Sequence, residues 1–254
     1  MISADLSLKN IQNKLTIRHD CVIMSAARRF CVKMLNYLFW TAVSFFSGSI
    51  MYSYLIPKVF YKKDITKLSK DGNPGCGNVF TCVSIPCGII CLILELAKGA
   101  VPIWAALRFV SPDNLMFAGV MAAPVLGHAF SPMLRNHGGK AIAVTFGTYI
   151  GLCPHSAVLF LLAIPFVFFS TALRINPHSL RVMTTYVVTL CGMLFIEKKI
   201  SLILGAAIIT FAVIYRHIGD YIRREKRQYS ICFFSVKLFG RDQEEAELSR
   251  TGKA

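Results

Sequence analysis

Charge is scarce in this chain, and negative charge scarcer still. Asp, Glu, Lys and Arg make up 16% of the 254 residues, with 28 basic side chains against 13 acidic ones and a formal net charge of +15. With 55% hydrophobic residues and a mean hydropathy of +0.55, this composition excludes an ordinary soluble domain and points to a helical membrane protein. Metal-ligand spacing is also missing. The nine Cys are scattered, with no CxxC pair and no repeated Cys/His pattern, so neither a disulfide framework nor a zinc site is supported, and no metal or cofactor is expected. Cys87, Cys91, Cys153 and Cys191 fall inside apolar runs and read as buried small hydrophobes. No zinc finger or RNP signature accompanies the basic charge. It lies between and after the apolar runs, which fits positive-inside bias and anionic lipid and argues against nucleic acid. The residues before about 34 lack the apolar core and small-residue cleavage site of a signal peptide. No internal repeat with matched broken helices suggests a transporter.

Seven apolar runs are present, over about residues 36–57, 85–109, 115–131, 141–153, 155–172, 179–195 and 200–215. They predict an all-α polytopic bundle of about seven transmembrane helices, preceded by a basic arm over 1–34 and followed by a polar tail over 228–254. Seven spans place the loops at 58–84, 132–140 and 173–178 and the tail on one side, which the excess of Lys and Arg marks as cytoplasmic in a cell membrane. Glu95 and Lys98 lie three residues apart within an apolar run. There they can form a structural ion pair or support a polar site.

The most polar interruption is Gly127-His128-Ala129-Phe130 through Gly138-Gly139-Lys140-Ala141. A diglycine and a lysine opening a helix form a plausible anion cradle, because backbone N–H groups, the positive end of the helix dipole and an ammonium converge. Beside a membrane the expected anion is a phosphate. A second loop, Asp71-Gly72-Asn73-Pro74-Gly75-Cys76-Gly77-Asn78, cannot continue a helix. Asn73 and Asn78 can hydrogen-bond a substrate or only shape that turn. Asp71 can cap a helix or pair with Lys70 or Lys140, and Cys76 stands as a conceivable nucleophile.

These fragments resemble, in order, the PlsY family of bacterial membrane glycerol-3-phosphate acyltransferases, over about residues 41–227. Phe46-Ser47-Gly48-Ser49-Ile50 looks like the family's first span, with Met51 where Pro is usual. The loop at Gly72–Asn78 is similar to Gly-Ser-Gly-Asn-x-Gly-Ala-Thr-Asn-x-x-Arg. Leu94-Glu95-Leu96-Ala97-Lys98-Gly99 resembles Leu-Asp-x-x-Lys-Gly, and Gly138-Gly139-Lys140-Ala141 resembles Gly-Gly-Lys-Gly. Arg216-His217 resembles the opening of the third motif. The resemblance implies acyl transfer from acyl-phosphate to the 1-hydroxyl of glycerol 3-phosphate at a lipid surface, giving lysophosphatidic acid for phospholipid synthesis. It implies catalytic roles for His217, His128 and Asp71. Substrate would be held by Lys140, Gly138, Gly139, Asn73, Gly75, Asn78, Arg216 and Asp220. Three positions depart from the pattern: the motif Ser falls on Asp71, its Arg on Thr81 and the third-motif Asn on Asp220. A carboxylate about 4 Å from an anionic substrate costs roughly 4 kcal/mol at an effective dielectric of 20. An altered acceptor, or a degenerate homologue that binds lipid or a partner without turnover, are therefore the other readings.

Overall fold

The computed structural model describes the backbone over residues 2–222, 229–233 and 236–241, and side chains over 24–25, 27–219, 221–222 and 230–233. Residues 2–47 contain neither Gly nor Pro, and the arm expected over 1–34 runs without a break into the first apolar run as α1, Ile2–Ser49. The expected first span over 36–57 is interrupted at Ile50 and Met51, after which α2 takes over at Tyr52–Phe60. Two short helices, α3 (Ile65–Leu68) and α4 (Cys76–Cys82), fold the first polar loop. Asp64 caps α3 by accepting from the Thr66 N–H at 3.1 Å. Ser84 caps the next helix by accepting from the Cys87 N–H at 3.3 Å.

That helix is α5, Ile85–Ala106. It is followed by α6 (Phe117–Ala129), a 3-10 turn at Pro132–Leu134, α7 (Ile142–Gly151), α8 (Val158–Ser170), α9 (His178–Ile196) and α10 (Ile200–Asp220). Among the described residues, four segments are long and apolar enough to cross a membrane: Ile85–Ala106, Phe117–Leu134, His178–Ile196 and Ile200–Gly219. The chain is a mostly helical membrane protein. Ile89, Ile93, Trp104, Phe160, Ile164, Phe195 and Phe211 present a broad apolar surface outward, while Phe117, Met121, Tyr149, Leu162, Tyr186 and Leu202 fill the interior.

Helices alone do not complete the fold. Residues read as a turn and as a polar tail form a three-stranded antiparallel sheet, with β1 at Leu173–Asn176, β2 at Tyr229–Phe233 and β3 at Val236–Arg241. Leu173 faces Phe233 and Asn176 faces Ser230, and a bulge falls at Ile231/Cys232. The reason is local. Tyr229, Ile231 and Phe233 alternate with smaller polar residues, a strand pattern too short to stand out beside the apolar runs.

Two helix crossings set the geometry of the polar end. Where α1 meets α6, a Cβ added at Gly48 would lie 2.0 Å from the Pro124 carbonyl oxygen, and one at Gly127 would lie 2.1 Å from that of Phe45. Where α5 meets α7, a Cβ at Gly147 would lie 2.1 Å from the Leu96 carbonyl oxygen. Small residues let these backbones touch, which is how helices associate in a medium as apolar as their own side chains. Gly127→Ala is expected to cost about 1–3 kcal/mol in unfolding measured in detergent, because only backbone can yield there. Gly77→Ala, whose Cβ would meet nothing within 4 Å, is expected to leave stability unchanged or raise it.

Candidate active site

The site begins at the break in the first span. Stopping α1 at Ser49 leaves carbonyls without helical partners, and starting α2 at Tyr52 leaves N–H groups in the same state. Two charged side chains from α5 resolve both. Lys98 donates to the Ile50 carbonyl at the C-terminal end of α1. Glu95 Oε1 accepts from the Ser53 N–H and hydroxyl, each at 3.2 Å, at the N-terminal end of α2. A cation thus meets the negative end of one helix and an anion the positive end of the next. The two form an ion pair at 2.7 Å, at 4% and 1% exposure. The Ser131 hydroxyl closes the seam by donating to the Ser49 carbonyl at 2.6 Å.

The same pair orients His128. Its Nδ1 lies 2.9 Å from Lys98 Nζ and 3.1 Å from Glu95 Oε2, which fixes the ring and turns Nε2 toward Gly139. The diglycine is required by that packing. A Cβ at Gly138 would lie 1.9 Å from the His128 carbonyl oxygen, and one at Gly139 would lie 2.2 Å from His128 Nε2. The Gly139 N–H donates to the His128 carbonyl at 3.2 Å, and Arg216 from α10 donates to the Gly138 carbonyl. Ala141, where the family pattern has Gly, adopts a left-handed φ of 63° at the start of α7, a conformation costly for a residue with a Cβ.

Lys140, delivered by this loop, donates to Asp71 Oδ2 at 3.0 Å. Asp71 Oδ1 accepts from the Asn78 side-chain amide at 2.8 Å and from the Asn73 N–H at 3.2 Å, and the Asn78 amide also reaches the Asn73 carbonyl at 2.8 Å. Burial pushes the Asp71 carboxyl up, but the Lys140 ammonium and these N–H donors outweigh it and hold it below the ordinary carboxylate range. Asn73 Oδ1 is buried without a hydrogen-bond partner.

Two cavities adjoin this cluster. One, of about 190 Å³, is lined by Asp71, Asn73, Asn78, Glu95, Lys140, His128 and His178 among others. The other, of about 380 Å³, is lined by Asp71, Asn73, Lys140, His137, Gly138, Tyr215 and Arg216 among others. Asp71, Asn73 and Lys140 belong to both.

The structure therefore gathers Asp71, Asn73, Gly75, Asn78, His128, Gly138, Lys140 and Arg216 around one polar end. Gly139 stands behind them against His128. His217 is fully buried, donates from Nδ1 to the Val213 carbonyl at 2.8 Å, and lines neither of these cavities. Asp220 ends α10, and its side chain lies outside the described residues. The Cys76 thiol is pushed up to about 11 by burial, so it stays protonated and is a poor nucleophile. Sequence reasoning passed over His178 and His137. His178 lay in a stretch read only as a turn, and its place at the head of α9 beside the cavity depends on how that helix packs.

An apolar bundle whose one polar end collects a lysine, an arginine, imidazoles and amides around paired cavities defines a membrane protein with the groups to hold an anion at that end. The chain belongs to the glycerol-3-phosphate acyltransferase family, whose profile matches residues 38–226. It is 30% identical over 190 residues to the glycerol-3-phosphate acyltransferase of Staphylococcus carnosus, covering 71% of this chain and 90% of that one. It is 40% identical over 120 residues to glycerol-3-phosphate acyltransferase 1 of Thermotoga maritima, covering 46% and 57%. Among solved structures its fold is similar to PlsY (YgiH), an integral membrane glycerol 3-phosphate acyltransferase, in its glycerol 3-phosphate form. The TM-score is 0.64 and the identity 23%, over 74% of this chain and 90% of that one.

The Asp71 clasp carries a pH signature. Its carboxyl is depressed in the folded chain, so its stabilisation is complete above the ordinary Asp value of about 3.9 and is lost as pH falls through the lower native value. The unaltered chain is expected to exceed Asp71→Asn in unfolding stability by roughly 1 kcal/mol from pH 8 down to 5, with the gap closing below pH 4.

Proposed function

We propose that this chain transfers an acyl group from acyl-phosphate to the 1-hydroxyl of glycerol 3-phosphate, releasing lysophosphatidic acid and phosphate. One observation carries the reading: Lys140 lines both cavities, an arrangement that suits a reaction between two phosphorylated substrates. The wider cavity, with Lys140, Arg216 and His137, suits the glycerol 3-phosphate headgroup. The narrower one, with His128 and His178, suits the acyl-phosphate. The acceptor hydroxyl attacks the acyl carbon, the bond to phosphate breaks, and phosphate leaves with the electron pair. Acyl-phosphate is already activated, so no protein nucleophile is needed, in keeping with the protonated Cys76. Lys140 and the nearby N–H donors offset charge gathering on the phosphate. His128 orients the acceptor hydroxyl, and Asn73 Oδ1, without a partner of its own, accepts from it. His217, buried in α10, supports this end of the bundle.

The reading places seven spans in the cell membrane, α1–α2 counting as the first and the short α7 and α8 as two of them, with the polar end cytoplasmic. The spanning domain extends over 35–227, with the basic arm and the tail outside it.

A second reading has one observation in its favour. Asp71 already neutralises Lys140, so an incoming anion meets a lysine that is already matched. A protein that keeps the fold and binds lipid without turnover would look the same. Purified protein supplied with acyl-phosphate and glycerol 3-phosphate separates the two. The unaltered chain is expected to turn over, Lys140→Ala to lose at least about 100-fold in kcat/KM, and Asp71→Ser to lower KM for glycerol 3-phosphate about tenfold. Turnover by Asp71→Ser with none by the unaltered chain would instead favour the binding protein.

A further inference from the structure

The geometry points to His178 as a further catalytic residue, one that donates a hydrogen bond to the reacting acyl-phosphate, with Arg181 as the residue that positions it. The inference rests on the acyl-transfer reading and adds a group to it. His178 opens α9 directly after Pro177 and lines the narrower cavity with Lys140, Asp71 and His128. One turn along the helix, Arg181 Nη2 lies 3.1 Å from His178 Nδ1. A guanidinium has hydrogens to give and no lone pair to offer, so Nδ1 must accept. The neutral ring then carries its hydrogen on Nε2, and that edge is what His178 can present to a ligand. His217, the imidazole that the motif spacing favours, sits behind it, with ring centroids 6.2 Å apart, and reaches neither cavity.

The site has a use for a neutral donor. Lys140 is matched by Asp71 at 3.0 Å, and the position where the family pattern has Arg is Thr81, so fixed positive charge at this cavity is low. As the glycerol hydroxyl oxygen bonds to the acyl carbon, the carbonyl electrons move onto its oxygen. They return as the bond to phosphate breaks, and the hydroxyl proton leaves with the departing phosphate. His178 keeps its own proton throughout and hydrogen-bonds the carbonyl oxygen while it carries the charge. A donor aimed at such an oxygen is worth about 10²–10³ in kcat.

The test is steady-state turnover of the full-length chain in detergent micelles, with acyl-phosphate and glycerol 3-phosphate. His178→Ala is expected to lower kcat about 100-fold with KM for glycerol 3-phosphate changed less than threefold. His178→Gln, whose amide N–H falls near the Nε2 position, is expected to stay within about tenfold of the unaltered chain, and His178→Asn, whose amide falls near Nδ1, to behave like Ala. Arg181→Met is expected to lower kcat about tenfold in the unaltered background and to have no effect on top of His178→Gln, a coupling that a merely structural arginine would not show. Should His178→Ala fail to fold, the Gln and Asn pair decides. A His178→Ala enzyme within threefold of the unaltered chain while Lys140→Ala is inactive, or Gln no better than Asn, overturns this inference alone. Absence of turnover by the unaltered chain overturns the acyl-transfer reading and this inference with it.

Discussion

A glutamate and a lysine, 2.7 Å apart and almost wholly buried, hold the two halves of a broken helix, and the polar end of the molecule is built outward from them. Charges in an apolar bundle are costly unless each finds several partners. Glu95 and Lys98 find them in each other, in the free backbone groups where α1 stops and α2 starts, and in His128 Nδ1. His128, fixed in this way, leaves room beside it only for glycine, so Gly138 and Gly139 fold over it and bring Lys140 to the cavity wall. The route from helix break to cationic site is one continuous set of contacts.

A different constraint governs what the site can accept. Lys140 faces two cavities, yet it enters the resting state already bonded to Asp71, whose other oxygen is held by Asn73 and Asn78. That carboxylate takes the same donors a phosphoryl oxygen would take. A phosphorylated ligand must displace it or bind beside it, so affinity is traded for a site whose lysine is already matched when empty. Donors carrying no charge, such as the Asn78 amide and a neutral imidazole, then matter more than they would around an unmatched lysine.

Several parts of this arrangement were legible in the sequence. Long apolar runs gave the helices, the Gly-Gly-Lys stretch gave the loop that carries Lys140, and an acidic residue in the first polar loop anticipated the Asp71–Lys140 pair. The i,i+3 spacing of Glu95 and Lys98 allowed an ion pair, but their role in bridging α1 and α2 depends on a break at Ile50 and Met51 that no Pro or Gly at those positions announces. The diglycine was legible as a close approach to a ligand, whereas its nearest neighbour is His128. The positions of His178 and His217 rest on the rotation of α9 and α10 about their axes, which periodicity does not fix when apolar residues surround the helix. The β1–β2–β3 sheet joins residues more than fifty positions apart, a pairing that local patterns do not reveal.

If the buried pair organises this end of the molecule, removing one charge must do more damage than removing both. Equilibrium unfolding of Lys98→Met, Glu95→Gln and the double variant, in one detergent, measures this directly. The single Lys98→Met chain should lose about 3–5 kcal/mol, because Glu95 is left buried and unmatched, and the double variant should recover a large part of that loss. A Lys98→Met chain that unfolds like the unaltered protein, or a double variant that only adds the two single losses, would contradict the account.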